Sequence, residues 1–332
     1  MSPSMYNNPT GVLATSVLLE ILAALCVGLR FYSRRRKGQA IMTSDWLILA
    51  ALIFGTGLAV MEVYGVVEHA LGYPAGGTFA DPQHPILAGQ DKIDLAALLL
   101  GIAGAGCDKL SFCFFYWHLF SKVTFRRFLI FWIITNALWT IAFILSGLLE
   151  CKTHLTAVFG TAEEYYAYCA SSQQAGFAMI ASDILTDLVT LIIPIPIVIG
   201  LKMDRRTKIL TLLVFIMGSL SVGSSIAKAY SYIIGATGNY TEDPMLTNTG
   251  FTIWNMVEVQ LGIVAACGPT LRLVLGHLIP AERVKAIMLR LGLSQLVGTV
   301  TRSLPSFVKH PETTEKASLK SWAAYIEEMK NR

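Results

Sequence analysis

Asp45–Val67 reads DWLILAALIFGTGLAVMEVYGVV, a run of apolar residues opened by one aspartate and interrupted by a single carboxylate, Glu62. A hydrocarbon core of about 30 Å needs about 20 helical residues at about 1.5 Å each. This run meets that length. Working outward, six more stretches do the same: Gly11–Phe31, Ile93–Phe120, Phe125–Leu149, Gln174–Leu201, Lys208–Gly235 and Gly250–Gly276. Buried soluble helices are also apolar, but seven such runs in succession point to a membrane. The expected architecture is an all-α membrane protein, a seven-transmembrane helix bundle over residues 11–276. A short segment, 1–10, precedes it and a tail, 277–332, follows.

Composition agrees. Charged residues are 14% of the chain, against about 25% in a typical soluble domain, and the mean hydropathy is +0.57. Where the charges sit is more informative than their sum. Arg30, Arg34, Arg35, Arg36 and Lys37 follow the first span; Lys122, Arg126 and Arg127 separate the third and fourth. Lys202, Arg205, Arg206 and Lys208 separate the fifth and sixth. The opposite loops hold only Lys92 and Lys152, and nothing basic precedes the first span. The positive-inside rule then places the N-terminus outside and the C-terminus in the cytosol. Basic runs at helix ends read as anchors on anionic lipid rather than as nucleic-acid patches, so no nucleic-acid partner is expected. Membrane lipids are.

Two further signals fit that orientation. Asn239-Tyr240-Thr241 is an N-glycosylation sequon in an outer loop. Cys151 and Cys169 share another outer loop and form the natural disulfide pair in an oxidising compartment; two free thiols are the alternative. Cys26, Cys107, Cys113 and Cys267 lie in spans and read as small apolar packing residues. No cysteine–histidine spacing suggests a metal site. Met1–Thr10 lacks the basic start of a cleaved signal peptide, so the first span is expected to act as the anchor. Beyond Gly276, Pro280–Val297 has the pattern of an amphipathic helix on the inner membrane surface, followed by a polar linker and a last short helical pattern around Trp322. A multi-pass protein of the endoplasmic reticulum and secretory pathway or of the plasma membrane is the expected localisation.

Ionisable residues inside the spans carry the functional signal, because each is costly in lipid unless it meets a partner or a wet cavity. They are Glu20, Glu62, Asp94, Asp108, Lys109, Asp183, Asp187, Lys228 and Glu258. Asp183 and Asp187 share a helix face, as do Trp254 and Glu258, and Lys109 with Tyr116. Counted from the expected span ends, most of these charges gather in the outer half of the bundle. Two readings follow. They are interhelical clasps, with the lysines neutralising carboxylates, or they line a polar pocket. The surplus of acids over lysines favours a pocket. In it Asp183, Asp187, Glu258, Lys109 and Lys228 are the candidate acid–base residues, and Glu20, Glu62, Tyr116 and Trp254 candidate lining.

Particular segments carry a family resemblance: Arg30-Phe31-Tyr32-Ser33-Arg34 with Asp45-Trp46, and Asp108-Lys109-Leu110-Ser111 with Phe115-Tyr116. Asp183 leading to Pro194-Ile195-Pro196, Lys208 to Gly218, and Trp254 and Glu258 leading to Pro269-Thr270-Leu271-Arg272 extend it. In order and spacing the chain resembles the fungal rhodopsin-like integral membrane proteins, the family named after a satratoxin-cluster membrane protein, over about residues 11–276. It departs from the pattern at Lys228, where an arginine is expected, keeping the charge without the planar fork. The resemblance implies a seven-helix bundle, a fungal source and frequent placement in secondary-metabolite gene clusters. It implies no single activity.

A retinal Schiff base of the microbial type needs a lysine in the last span, and that span has none. The aspartate-arginine-tyrosine and asparagine-proline-x-x-tyrosine signatures of G-protein-coupled receptors are absent, with Tyr116-Trp117-His118-Leu119-Phe120 at the first position. A transporter would be expected to show an inverted repeat. Nor is there a nucleotide loop, dinucleotide fingerprint or haem-thiolate motif, so no cofactor is expected. Two expectations remain. One is a cofactor-independent acid–base enzyme, a cyclase, isomerase or hydratase of secondary-metabolite biosynthesis, acting on a lipophilic small molecule alongside other biosynthetic-pathway enzymes. The other is a non-catalytic receptor-like or accessory protein binding a small ligand in the same pocket.

Overall fold

The computed structural model describes residues 6–36, 38–74, 85–119, 123–151, 169, 172–193, 205–237 and 243–278. Among them are seven helices: α1 (Pro9–Arg36), α2 (Thr43–Val67), α3 (Pro85–Leu119), α4 (Val123–Leu148), α5 (Ser172–Ile192), α6 (Arg205–Ala236) and α7 (Pro244–Leu278). Each coincides with one expected span. Six are long and apolar enough to cross a membrane. In α6 the described residues are diluted by Ser219, Ser221, Ser224, Ser225 and Lys228. The chain is a multi-pass, all-α membrane protein.

Several helices begin before their apolar runs, for a local reason. Asn8 accepts the Gly11 N–H at 3.0 Å, and Pro9 follows it as the first helical residue. Asp243 accepts the Met245 N–H at 3.0 Å, and Pro244 follows it in the same way. A side-chain acceptor followed by proline is a helix-start signal that hydropathy does not register. α2 is closed by a turn through His69 and Gly72, both with positive φ. Gly72 is required there twice over: φ is +81°, and a Cβ would lie 2.9 Å from the Pro9 backbone. The Gly72 N–H donates to Thr249 Oγ1 at 3.1 Å, fastening the turn to α7.

α7 packs against α1, α2, α3 and α6, and α3 against α2, α4, α5 and α7, so these two form the centre. Their shared core mixes alanines (Ala23, Ala51, Ala97, Ala105, Ala266) with Ile48, Leu58, Met256 and Val259. Small residues let helix axes approach closely where lipid offers no competing hydrophobic gain. The outward faces carry Leu18, Leu25, Ile53, Phe131 and Leu138, all exposed, as a lipid-facing surface requires. Cys151, just after α4, is bonded to Cys169, just before α5, with Cα atoms 4.3 Å apart.

At the opposite end the structure corrects the reading of the first basic loop. Arg30 and Arg34 are buried rather than available to lipid headgroups. Arg30 Nε donates to Asp45 Oδ1 at 2.8 Å, Nη1 to the Ala266 carbonyl at 2.6 Å and Nη2 to Ser44 Oγ at 3.1 Å. Arg34 Nε lies 2.5 Å from Asp45 Oδ2, which also accepts the Met42 N–H at 2.8 Å. Asp45 therefore holds α1 to the start of α2, and Arg30 holds both to α7. Arg35 and Arg36 remain exposed. Asn239 and the amphipathic helix expected over Pro280–Val297 lie outside the described residues.

Candidate functional site

Four helices bring five charged side chains to one point. Lys109 of α3 places Nζ 2.6 Å from Asp183 Oδ1 and 2.8 Å from Asp187 Oδ1, both on α5. Lys228 of α6 places Nζ 2.5 Å from Asp183 Oδ2 and 2.6 Å from Glu258 Oε2 on α7. Asp183 thus bridges the two ammoniums. The carboxylate oxygens of Asp183, Asp187 and Glu258 all approach within 4.8 Å of one another. All five residues are buried.

Local sequence explains the convergence. The four-residue spacing of Asp183 and Asp187 puts both on the α5 face turned to α3 and α6. Ser225 and Lys228, three apart on α6, present a hydroxyl and an ammonium to that face. Ser225 Oγ donates to Asp187 Oδ2 at 2.6 Å, and Lys109 donates to Thr186 Oγ1 at 3.0 Å. The Trp139 ring of α4 lies over Lys109 Nζ at 4.9 Å and donates its indole N–H to Ser182 at 2.8 Å. It closes the cluster toward α4 while adding a cation–π contact. Thr186, Ser225 and Trp139 were not among the residues singled out from sequence; the spacing to Asp183 and Lys228 is the signal that marks the first two.

A narrow gap of about 10 Å³, room for about one water, adjoins this cluster. Asp183 and Lys228 form its polar part, and Leu98, Ile102, Trp139, Met179 and Phe251 much of its apolar wall. Three carboxylates meet two ammoniums here, leaving one excess negative charge. The mismatch shows in the contacts: Glu258 Oε1 is buried with no hydrogen-bond partner.

Positions along the helices follow from their ends. Glu258 lies fourteen residues along α7 from Pro244, about 21 Å at about 1.5 Å per residue. Lys109 lies ten residues from the other end of α3, at Leu119, or about 15 Å. Along α6, Lys228 lies eight residues from the helix end at Ala236, about 12 Å at about 1.5 Å per residue.

Four residues grouped with the pocket from sequence lie elsewhere. Glu20, partly exposed on α1, accepts from Thr56 and from Gln260, both at 2.6 Å. Glu62 of α2 is buried against the Ser16 hydroxyl of α1. Tyr116 packs with Leu129 and Ile193 in an apolar cluster on the α3, α4 and α5 side. Trp254 donates to the Tyr6 hydroxyl at 2.8 Å, where the chain enters α1.

With this geometry in hand, the relatives are informative. A protein of Metarhizium anisopliae described as polyenoic acids biosynthesis gene cluster protein Ba17b is 28% identical over 257 residues, covering 74% of this chain and 68% of its own length. Receptor GIN3 of Arthrobotrys oligospora is 25% identical over 267 residues, covering 79% of this chain and 62% of its own length. This chain thus spans less than two thirds of the second relative. No solved structure matches it. The profile of the fungal rhodopsin domain runs over residues 29–277, from the end of α1 that carries Arg30 through the four helices that build the charged cluster. The chain belongs to the fungal rhodopsin domain family.

Proposed function

We propose that this gap widens into a cleft that binds a lipophilic small molecule of fungal secondary metabolism and that Asp183, Asp187 and Glu258 perform acid–base chemistry on it, with Lys109 and Lys228 dividing the protons among them. The observation that carries this reading is the mismatch of three carboxylates with two ammoniums in a buried cluster. One excess charge in a low-dielectric site is relieved by a proton, and a shared proton beside an ionised carboxylate is what a cyclase, isomerase or hydratase needs. One acid protonates an alkene, epoxide or carbonyl of the ligand. A neighbouring carboxylate removes a proton from another atom, so the ligand's charge is unchanged. The apolar walls contributed by Ile102, Met179 and Phe251 suit a hydrocarbon body, and Asp183 with Lys228 its polar end.

A receptor reading has its own support. The ion pairs tie α3, α5, α6 and α7 together, so a ligand group that takes Lys228 from Glu258 would remove the ion pair between α6 and α7 and favour a different packing of the two. One relative is itself described as a receptor. On either reading the N-terminus faces the lumen or exterior and the C-terminus the cytosol.

The test is turnover in microsomes from cells expressing the chain, supplied with lipophilic intermediates of the neighbouring biosynthetic genes and no added cofactor. The acid–base reading expects an isomer or hydrate of the substrate, lost in Glu258→Gln protein that accumulates normally. Saturable binding of an intermediate with no chemical change would replace it with the receptor reading. Neither binding nor turnover would refute both.

A further inference from the structure

Away from the charged cluster, the α1–α2 seam carries a carboxylate on its lipid-facing side. Glu20 of α1 is partly exposed and lies eleven residues from Pro9 and sixteen from Arg36. Thr56 of α2, thirteen residues from Thr43 and eleven from Val67, is exposed beside it. Both sit well inside their spans. Val17 and Ala24 flank Glu20 one turn away on α1, and Ile53 and Val60 flank Thr56 on α2; all four are exposed. Glu20 Oε1 accepts from Thr56 Oγ1 and Oε2 from Gln260 Nε2, each at 2.6 Å. Gln260 reaches the seam from α7 past Gly55, where a Cβ would lie 2.9 Å from its Nε2. It stands two residues beyond Glu258, about 200° round the helix and so on the side away from the charged cluster. Gln260 Oε1 is buried with no hydrogen-bond partner. Among the described residues no lysine, arginine or histidine pairs with Glu20.

An ionisable group at that depth is tolerated where it meets an opposite charge. We propose that the α1–α2 seam at Glu20 and Thr56 docks a transmembrane helix of another protein that carries a lysine or arginine near its middle. Charge complementarity argues for it. Both donors to Glu20 are neutral groups, so nothing among the described residues compensates a negative charge there. The Gln260 amide adds an orphan acceptor beside it, which suits a cation with several donors. The occupant has to bring the cation itself. A second copy of this chain offers none among the described residues: Lys109, Lys228, Arg30 and Arg34 are buried, and exposed Arg35, Arg36 and Arg126 lie near helix ends. Valine, alanine and threonine keep the seam low, so that a helix can approach closely. The site shares no residue with the proposed acid–base cluster and needs neither metabolite nor turnover.

The experiment reconstitutes the donor-labelled full chain in phosphatidylcholine vesicles and reads energy transfer to an acceptor-labelled peptide. The peptide is a helix of about 20 leucines and alanines with one central lysine. Saturable association is expected, about five- to thirtyfold tighter than with leucine in place of the lysine. Glu20→Gln should abolish that difference. Glu62→Gln, at a buried carboxylate on the same seam, should keep it. Equal affinity for the two peptides overturns the proposal, as does a lysine preference that survives in Glu20→Gln. Transfer between two differently labelled copies of the chain, removed by Glu20→Gln, assigns the seam to self-association and overturns it as well. So does Glu20-dependent binding of fluorescent octadecylamine without binding of the lysine peptide. Should Glu20→Gln fail to accumulate, the unaltered chain decides. Moving the lysine about seven residues toward the peptide's end, about 10 Å, should remove the preference, and a preference that ignores depth refutes the site.

Discussion

Lys228 and Glu258 form a pair whose two halves are not equivalent, and a double-mutant cycle exposes the difference. Lys228→Met removes the ammonium that pairs directly with Glu258, whose Oε2 lies 2.6 Å from Nζ and whose Oε1 is buried without a hydrogen-bond partner. Asp183 keeps Lys109 at 2.6 Å. An orphaned buried carboxylate costs about 3–5 kcal/mol, a large share of a typical folding stability of about 5–15 kcal/mol. Glu258→Gln acts in the other direction. It removes a charge from a cluster that has one too many, and Lys228 keeps Asp183 at 2.5 Å. Its cost is bounded by one charge-assisted contact, roughly 1.5–3 kcal/mol.

The double variant orphans nothing, so it should be more stable than the sum of the singles predicts, by about 1–3 kcal/mol. Denaturant titration of the four proteins in mixed micelles, followed by tryptophan fluorescence, measures all the terms. Lys228→Met should be the least stable single variant, and Glu258→Gln should partly rescue it. Equal costs for the two single variants, adding within about 0.5 kcal/mol, would refute the surplus-charge argument and with it the buried proton.

Three other expectations follow from the same contacts. Arg30→Lys loses the fork that reaches Asp45, Ser44 and the Ala266 carbonyl together; it should destabilise by about 2–4 kcal/mol, and an unfolding curve superposable on the parent would contradict that. Cys151 and Cys169 should resist alkylation until reduced, and opening their bridge should cost about 3 kcal/mol by loop-closure entropy; labelling in unreduced membranes counts against the bond. On sealed vesicles an N-terminal tag should be protected from protease on the cytosolic face while a C-terminal tag is digested, and Asn239 should acquire an endoglycosidase-sensitive glycan; the opposite protection pattern reverses the orientation.

The bundle was legible in the sequence because lipid demands long apolar runs, and each of the seven falls on one helix. Helix starts were less so. Asn8-Pro9 and Asp243-Pro244 act through hydrogen bonding and a fixed φ, which leave no trace in hydropathy. Within the site, the convergence of Lys109, Asp183, Asp187, Lys228 and Glu258 could be read from depth and from the four-residue spacing on α5. Glu20 and Glu62 were grouped with them yet meet α2 and α7 in one case and α1 in the other, because periodicity defines the faces of a helix without naming the neighbour each face meets. Trp254 shares a face with Glu258 but lies one turn nearer the helix start, where Tyr6 reaches it. Arg30 and Arg34 stood in a basic run at a helix end, where lipid anchoring is the usual reading. Only the approach of α2, bringing Asp45 between them, buries them.

Two buried charge clusters among the described residues differ in a way that bears on what each does. In the one near the end of α1, a single carboxylate is matched by two guanidiniums, and both of its oxygens are engaged. Arginine offers rigid donors at fixed angles and holds its charge throughout, which suits fixing how α1, α2 and α7 meet. The central cluster uses lysine, a flexible point charge, at both cationic positions, against more carboxylates than it can neutralise. Hydrophobic replacement of a buried ion pair is often neutral or stabilising, so stability alone is a weak reason to keep such an arrangement across four helices. A surplus of buried acid oxygens, with Asp183 at the edge of a small, mostly apolar gap, is a composition suited to proton exchange. Conservative changes at Arg30 or Asp45 should therefore lower abundance and activity together, whereas Glu258→Gln should lower activity at nearly unchanged abundance. Parallel losses at both clusters would show that the central one is only another clasp.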